Sequence, residues 1–415
     1  MLGLSPLQTV LLFSGLAAGL YMAWNIGAND VANSMSTAVG AGAITYRQAI
    51  VIASILTVAG AVLVGGHVTA TVKGGIFDPS GIDELHLALG ALSAILAAGL
   101  WVTIATWKSL PISTSHSIIG GMMGFGLTVG GPEIISWFTL GKVVLSWVTS
   151  PIFGAILAFL IFNIIVKLIF NSDEPFETAK KTSPFFIAAT FFVITLSLFL
   201  DTALSVQLFG RQITIPESLG IASVVGAVFG LGGRAFIIKG AEKGENYEGV
   251  EKIFCNLQVI TSCFVAFSHG ANDVANAIGP LLLVVENTVP DTSQFFFLGS
   301  TQLLLMGGVG IAIGISTWGY KVIKTVGFKV TKLTNTRGFS VDFGAATTIL
   351  VASKLGMPIS TSHTVVGAVF GVGLARGLEA IDLSVIRRIV VSWVITVPIA
   401  AITSVVLYLS FLWMI

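Results

Sequence analysis

The sequence predicts an all-α integral membrane protein built from two inverted repeats, with broken helices and two re-entrant hairpins. Of its 415 residues, 54% are hydrophobic and only 10% are charged, far below the roughly 25% charged residues of soluble domains. The long apolar runs lack the ten-residue alternation of a membrane β-barrel, so we expect helices. Two polar motifs also occur twice in the same order, which indicates two copies of one unit. A formal net charge of +1 excludes a basic nucleic-acid-binding surface.

The first repeated motif is the octapeptide GANDVANS at residues 27–34, which returns as GANDVANA at residues 270–277 with an offset of 243 residues. Both copies lie inside apolar sequence, where Asp and Asn side chains are costly and mark an ion or substrate path. The apolar segment 4–39 is longer than one crossing of a ~30 Å core requires. We therefore expect a helix break at Gly27 and the Asn-Asp pair that follows it, with carbonyl groups freed for a cation.

The second repeated motif is the hexapeptide PISTSH, at residues 111–116 and again at residues 358–363, with an offset of 247 residues. In each copy an apolar segment precedes the hexapeptide, and a short glycine-rich segment follows it. The short segment after the first copy, residues 118–129, is too short to cross the bilayer. This combination predicts two re-entrant hairpins whose tips stop near the middle of the membrane.

The spacing of the motifs divides the chain into three parts. Residues 1–170 form the first repeat and residues 253–415 form the second. Residues 171–252 form a linker with two further spans, which have no partner in the duplication.

Lysine and arginine residues give the orientation of these parts. The basic loops 239–252, 321–337 and 376–388 are expected on the cytoplasmic side. The first repeat then makes an odd number of crossings and the linker an even number, so the two repeats are inverted. Inverted repeats with broken helices are typical of alternating-access transporters. We therefore expect a multi-pass transporter in the inner (plasma) membrane of the cell, surrounded by the lipid bilayer.

The octapeptides supply candidate cation ligands. Amide and carboxylate oxygens suit a hard cation and do not suit zinc or copper, which prefer His and Cys. The alternative is that these side chains only cap broken helices, but their repetition at matched depth favours the cation site. The predicted ligands are Asn29, Asp30, Asn33, Asn272, Asp273 and Asn276.

The hexapeptides supply candidate anion ligands. Each Ser-Thr-Ser tip precedes a predicted helix, whose N-terminus offers unpaired N–H groups and the positive end of the helix dipole. Two such tips that meet in the membrane would surround a tetrahedral oxyanion with donors. The alternative is that the hydroxyl groups are ordinary N-caps. The predicted anion ligands are Ser113, Thr114, Ser115, Ser360, Thr361 and Ser362.

Through the two octapeptides and the two hexapeptides, the sequence resembles the inorganic phosphate transporter (PiT) family over essentially its whole length. The resemblance implies a phosphate symporter, driven by sodium in some members and by protons, with metal-phosphate complexes, in others. It also implies a homodimer. By position, it places the Asn and Asp residues above in the cation and substrate core and the Ser-Thr-Ser tips on phosphate. The large cytoplasmic loop of animal relatives is reduced here to residues 240–252, which favours a prokaryotic-type member.

The charge of phosphate indicates how many cations must be transported with it. Phosphate near pH 7 carries between one and two negative charges, and each costs about 2.3 kcal/mol per 100 mV to move toward a negative interior. Two or more cations per phosphate reverse that sign. We therefore expect symport of phosphate with two or more Na⁺ ions and no other cofactor. A proton-coupled (metal-)phosphate permease and a sulfate permease are the alternatives, since hydroxyl and N–H donors do not distinguish the two oxyanions.

An enzyme is the competing class of protein. The Ser and His residues of the hexapeptides suggest an intramembrane serine hydrolase. However, three residues from Ser113 to His116 show no catalytic geometry, and no GxSxG elbow is present in the sequence. We therefore expect that the protein is not an enzyme. A channel is also disfavoured, because oxyanion-binding tips beside buried carboxylates indicate that opposite charges are bound together.

Overall fold

The computed structural model describes residues 4–108, 112–200, 202–240, 246–290, 296–320, 323, 334–377 and 383–415. Pro111 of the first hexapeptide lies outside the described residues. So do parts of the three basic loops on which the predicted orientation rests, namely 241–245, most of 321–337 and 378–382.

The helices are described in the order of the three predicted parts, although the helix that opens the third part begins at Asn246, inside the predicted linker. The first part contains α1 (Pro6–Gly40), α2 (Tyr46–Val64), α3 (Gly66–Gly74), α4 (Glu84–Trp107), α5 (Thr114–Gly130) and α6 (Trp137–Ile165), which continues as a π-helical turn. The middle part contains α7 (Pro175–Phe199), α8 (Ala203–Phe209) and α9 (Ile215–Gly240). The last part contains α10 (Asn246–Asp273), α11 (Ala275–Glu286), α12 (Ser300–Thr317), α13 (Asn335–Lys354), α14 (Thr361–Ala375) and α15 (Leu383–Met414).

Length and composition allow several of these helices to cross a membrane. Within the described ranges, nine helical stretches are long and apolar enough to do so. The most apolar stretch is Trp137–Phe170, with a mean hydropathy of 2.6. The predicted class, a multi-pass helical membrane protein, is confirmed.

Local sequence explains where the first two helices begin. The Ser5 hydroxyl accepts a hydrogen bond from the backbone N–H of Gln8 at 3.2 Å, and the Gln8 side chain accepts one from the Ser5 N–H at 2.9 Å. Thr45 and Gln48 form the same capping box at the start of α2. Such boxes satisfy N–H groups that the first helical turn leaves unpaired.

The predicted helix break in the first octapeptide is wrong, because α1 is a single helix of 35 residues. The Asn and Asp side chains of the octapeptide form hydrogen bonds with side chains of other helices, and the backbone of α1 stays helical. Gly27 instead permits close packing, since a Cβ there would lie 1.9 Å from the carbonyl oxygen of Ile311 on α12. In the second copy α10 ends at Asp273 and α11 begins at Ala275, but Val274 between them keeps helical backbone angles, so the chain does not unwind there either.

The two repeats make reciprocal contacts through their first two long helices. Gly27 on α1 lies against Ile311 on α12, and Gly270 on α10 lies against Thr57 on α2 in the same way. A Cβ on Gly270 would lie 2.0 Å from the Thr57 carbonyl oxygen. The first helix of each repeat therefore packs against the second long helix of the other repeat.

The helix pair around each hexapeptide is likewise in contact with a helix of the other repeat. Helices α4 and α5 pack together, as do α13 and α14. The last helix of the chain, α15, covers α5, where a Cβ on Gly124 would lie 2.4 Å from the Ala401 carbonyl oxygen. Helix α6 covers α14, where a Cβ on Gly371 would lie 2.0 Å from the Ala155 carbonyl oxygen. Each repeat thus supplies the long helix that covers the hairpin of the other repeat.

The linker helices are attached mainly through α7. This helix packs against α9 and also against α10 of the second repeat. The rings of Phe186 on α7 and Phe254 on α10 lie 5.8 Å apart between their centroids. The linker therefore packs against the second repeat through α7 and α10.

Candidate functional site

Asp30 joins the two hexapeptides near the centre of the molecule. It lies on α1, its side chain is almost completely buried, and its carboxylate accepts three hydrogen bonds of 3.1 Å each. The donors are the hydroxyl groups of Thr114 and Ser362 and the side-chain amide of Asn33. Thr114 belongs to the first hexapeptide and Ser362 to the second. One carboxylate of the first octapeptide therefore contacts both tips.

Asp273 holds the matching position in the second octapeptide and is completely buried. Its Oδ2 atom accepts a hydrogen bond from the Thr361 hydroxyl at 2.9 Å and lies 3.0 Å from Nε2 of His269. Its Oδ1 atom has no hydrogen-bond partner among the described residues. One oxygen of this carboxylate is therefore available to an ion.

The outer asparagines of the two octapeptides cross between the repeats. The amide of Asn33 donates to the Ser362 hydroxyl at 2.8 Å, and the amide of Asn276 donates to the Ser115 hydroxyl at 3.0 Å. Each octapeptide thus reaches the hexapeptide of the other repeat. The structure therefore brings four predicted cation ligands and four predicted anion ligands into one cluster, which we call the core site: Asp30, Asn33, Asp273, Asn276, Thr114, Ser115, Thr361 and Ser362.

The remaining predicted ligands lie at the edge of the core site. The amide of Asn29 donates to Thr106 at 2.7 Å, and that of Asn272 donates to Ser353 at 3.1 Å, so both contact the first limb of a hairpin. Asn272 also donates to the carbonyl oxygen of Met357, directly before the second hexapeptide, at 3.2 Å. The hydroxyl groups of Ser113 and Ser360 accept from backbone N–H groups at 3.2 and 3.3 Å and cap the helices that follow.

The two tips also touch each other. The rings of His116 and His363 lie 4.8 Å apart between their centroids and meet edge to face. The Ser115 hydroxyl donates to the carbonyl oxygen of Ile359 at 2.8 Å. These contacts bring the N-termini of α5 and α14 to the same place.

The core site combines two kinds of ligand. Carboxylates and amide oxygens suit hard cations, whereas hydroxyl groups and helix N-termini suit an oxyanion. The Oδ1 atoms of Asn272 and Asn276 have no hydrogen-bond partner in the described part of the chain. One ligand atom each from Asp30, His269 and Asp273 lies within 4.8 Å of the other two. The arrangement can therefore hold cations and an anion side by side in a site closed to solvent.

His269 is a member of this cluster that the sequence analysis missed. The aligned residue of the first repeat is Ile26, so a search for features that both repeats share passes over it. The signal that could have found it is the difference between the repeats: an ionisable side chain next to GAND in one copy and an apolar one in the other.

Asp342 is a third buried carboxylate in the described chain, and it was also missed. It lies on α13 and accepts hydrogen bonds from the Thr37 hydroxyl at 2.9 Å and the Ser262 hydroxyl at 2.6 Å. It thereby ties α13 to α1 and α10. Its aligned residue in the first repeat is Ile95, so it too breaks the symmetry of the duplication.

Known proteins similar to this chain show its family. A model of the phosphate transporter family matches residues 26–404. A protein of Pyrococcus abyssi named "putative phosphate permease" is 48% identical over 401 residues, which cover 96% of this chain and 97% of that protein. The chloroplastic inorganic phosphate transporter 2-1 of Arabidopsis thaliana is 40% identical over 435 residues, which cover 97% of this chain and 73% of that protein.

A solved structure is similar over almost the whole fold. It is described as "The sodium-dependent phosphate transporter", is 44% identical to this chain and superposes with a TM-score of 0.90. The match covers 98% of this chain and 100% of the other. The protein is thus a transporter rather than an enzyme, and the serine hydrolase alternative is rejected. Its fold, its matched motifs and these relatives agree that the chain belongs to the phosphate transporter family.

Proposed function

We propose that this protein is a sodium-coupled symporter that imports inorganic phosphate by alternating access. The observation that carries the proposal is the core site, where two buried carboxylates alternate with the hydroxyl groups of two hairpin tips. Such a site binds a cation and an oxyanion more strongly together than separately, because each ion compensates the charge of the other. The sodium dependence of the solved relative supports the choice of cation.

The two classes of ligand divide the core site between the ions. We assign sodium to the octapeptides and phosphate to the hexapeptides, where hydroxyl groups and the N-termini of α5 and α14 provide donors. The sodium ligands are Asn29, Asp30, Asn33, Asn272, Asp273 and Asn276. The phosphate ligands are Ser113, Thr114, Ser115, Ser360, Thr361 and Ser362, with Ser113 and Ser360 contributing through the helix N-termini that they cap.

The reciprocal contacts support two sodium ions for each phosphate. The carboxylates of Asp30 and Asp273 accept from Thr114 and Thr361 at matched positions, so each octapeptide offers a carboxylate beside a tip hydroxyl group, although only Asp273 lies within hydrogen-bond distance of His269. Two sodium ions with one phosphate carry a net charge of zero to +1, which a negative interior does not oppose. We therefore propose at least two sodium ions, one in each octapeptide.

The exchanged helices support alternating access by inverted repeats. Each hairpin is covered by the long helix of the other repeat, through Gly124 on α5 and Gly371 on α14. Symmetric halves of this kind exchange roles when the site opens to one side and then to the other. We propose that the hairpins are re-entrant and that their tips close the site near the middle of the membrane.

Transport by purified protein in liposomes tests the coupling ion. We expect an inward sodium gradient at equal pH to drive uptake of radiolabelled phosphate above the equilibrium level. A proton gradient without sodium should not do so. Uptake driven by protons and indifferent to sodium would favour the alternative, a proton-coupled (metal-)phosphate permease.

Competition tests the substrate. In liposomes preloaded with phosphate, external phosphate should support exchange of the label and external sulfate should not. Exchange that sulfate supports equally well would favour a sulfate permease, since both anions offer tetrahedral oxygens to the same donors.

The tip hydroxyl groups give a residue-level prediction. Ser362→Ala should raise the half-saturating phosphate concentration about tenfold or more, because its hydroxyl hydrogen, which Asp30 accepts in this structure, is the one that would turn to phosphate, and a hydrogen bond to a charged group contributes about 1.5–3 kcal/mol. Initial rates of phosphate uptake at saturating sodium measure the effect. Ser117→Ala is the matched control, because its hydroxyl bonds only to the backbone carbonyl of Ser113 one turn away. Equal phosphate affinity in both variants would remove Ser362 from the phosphate site.

The resemblance to the family also supports a homodimer in the plasma membrane. Light scattering of detergent-solubilised protein should give a protein mass of twice 43.4 kDa. A mass of one chain would contradict the dimer.

A further inference from the structure

We propose that Thr106 and Ser353 are positioning residues that turn the amide oxygens of Asn29 and Asn272 toward the transported cations. This inference rests on the proposed function. It assigns roles to two hydroxyl groups that lie in apolar helices outside both repeated motifs. Both side chains are buried.

The orientation of Asn272 follows from its hydrogen bonds. Its amide nitrogen lies 3.2 Å from the carbonyl oxygen of Met357. A carbonyl oxygen can only accept, so the atom that faces it must be the nitrogen and not the oxygen. The second N–H of the same amide donates to the Ser353 hydroxyl at 3.1 Å. Both N–H groups are therefore used, one by α13 and one by the segment that follows it.

The Ser353 hydroxyl is itself fixed in direction. It donates its single hydrogen to the carbonyl oxygen of Ile349 at 2.8 Å, so toward Asn272 it can only accept. The Oδ1 atom of Asn272 consequently points away from α13, and it has no hydrogen-bond partner among the described residues. A buried oxygen of this kind is costly unless a ligand satisfies it.

In the first repeat a hydroxyl group makes the same contact with an asparagine amide, without a second contact to a carbonyl oxygen of the residues that the structure describes. The Thr106 hydroxyl donates to the carbonyl oxygen of Val102 at 2.8 Å and accepts from the amide of Asn29 at 2.7 Å. Thr106 and Ser353 are 247 residues apart, the offset of the hexapeptides. The first limb of each hairpin therefore carries a hydroxyl group at a matched position. Each of these two hydroxyl groups accepts a hydrogen bond from the asparagine at the matched position of an octapeptide.

A neighbouring pair shows the opposite arrangement. Thr103 on α4 donates its hydroxyl hydrogen to Oδ1 of Asn25 at 2.8 Å. The amide nitrogen of Asn25 donates to the Tyr21 carbonyl oxygen at 3.0 Å. The oxygen of Asn25 is therefore already occupied, although this residue lies only one turn before Asn29. The direction in which the hydroxyl hydrogen points decides which asparagines can bind a cation.

This arrangement affects the sodium affinity and not the phosphate contacts. An amide oxygen is a neutral ligand that coordinates Na⁺ but takes up no proton near neutral pH. Without the hydroxyl acceptor, the Asn29 amide can rotate and present N–H groups to the cation, whereas the Asn272 amide keeps its hydrogen bond to the Met357 carbonyl oxygen and is held less firmly than before. Variants at these positions should therefore weaken sodium binding while the hairpin tips keep their contacts with phosphate.

Sodium activation of the purified protein in liposomes tests the inference. Thr106→Val keeps the shape of the side chain and removes the acceptor, and Ser353→Ala removes the acceptor in the second repeat together with the volume of one atom. Each should raise the half-activating sodium concentration roughly tenfold, the effect of losing about one hydrogen bond at a ligand. The half-saturating phosphate concentration at saturating sodium should stay within about twofold. Thr106→Ser and Ser353→Thr, which restore the acceptor, should restore sodium affinity.

A second measurement does not depend on transport. Sodium, compared with choline at equal ionic strength and without phosphate, should raise the thermal unfolding midpoint of the wild-type protein, and higher sodium concentrations should be needed in the two variants. Thr103→Val is the matched control on the same helix and should show the wild-type sodium dependence. If Thr106→Val is not recovered as folded protein, Thr106→Cys replaces it, since a thiol is a weak acceptor.

Three outcomes overturn the inference. The first is wild-type sodium activation in Thr106→Val and Ser353→Ala, and the second is an equal loss in Thr103→Val. The third is an equal rise in the half-saturating concentrations of sodium and phosphate, which would indicate general damage to the site. A wild-type protein that sodium neither activates nor stabilises would overturn the proposed function itself, and the inference with it.

Discussion

Asp30→Asn and Asp273→Asn are each expected to abolish sodium-driven phosphate uptake and to leave the protein folded. Each change removes a negative charge from a site closed to solvent and keeps the shape of the side chain. At an effective dielectric constant of about 20, a charge pair 4 Å apart contributes about 4 kcal/mol, so sodium affinity should fall on the order of a thousandfold. Initial rates of phosphate uptake over a range of sodium concentrations measure the loss.

The control for these variants is Asp78→Asn, which makes the same chemical change in an exposed loop where the carboxylate bonds to the Ser80 backbone N–H at 2.9 Å. Its uptake should equal that of the wild type. Size-exclusion chromatography should show the same folded species for all three variants. Wild-type uptake by either core variant would remove that aspartate from the ion site.

Gly27→Ala and Gly270→Ala are expected to prevent assembly of the folded protein. The added Cβ would lie 1.9 Å from the Ile311 carbonyl oxygen in the first variant and 2.0 Å from that of Thr57 in the second. These are backbone atoms within packed helices, so the helices must move apart. The cost should exceed the roughly 1–3 kcal/mol that extra methylene groups usually cost in a well-packed core. The yield of monodisperse protein in mild detergent measures the effect.

Gly141→Ala provides the comparison, because a Cβ at that position of α6 meets no other atom within 4 Å. We expect normal yield from this variant. Normal yield and uptake from Gly27→Ala as well would show that α1 and α12 can separate without loss of the fold.

Much of the fold could be predicted from composition and duplication. The apolar runs indicated helical spans, and the repeated motifs marked the halves that exchange helices in the structure. The helix break at Gly27 was predicted wrongly, because the sequence shows that Asn29 and Asp30 are polar but not where their partners lie. Those partners come from α4 and from both hairpin tips, far away in the chain, and they satisfy the side chains without any change in the backbone of α1.

The candidate site could be predicted only where both repeats carry the same residue. Asp30 and Asp273 stood out because each is the single carboxylate of a repeated octapeptide. His269 and Asp342 lack counterparts, so comparison of the repeats did not find them. Thr106 was missed for another reason: a lone hydroxyl in an apolar helix usually bonds to its own backbone. Its function depends on a contact with a helix that lies 77 positions away in the sequence.

The covering of α5 by α15 has a consequence for how the protein is made. The surface around Gly120 and Gly124 is synthesised early, yet the chain that covers it, near Val397 and Ala401, is translated almost 280 residues later. This surface of α5 therefore lacks its native cover until the ribosome has nearly finished the chain. A fragment that stops before α15 should be recognised by membrane quality control, whereas two fragments made together can complete each other.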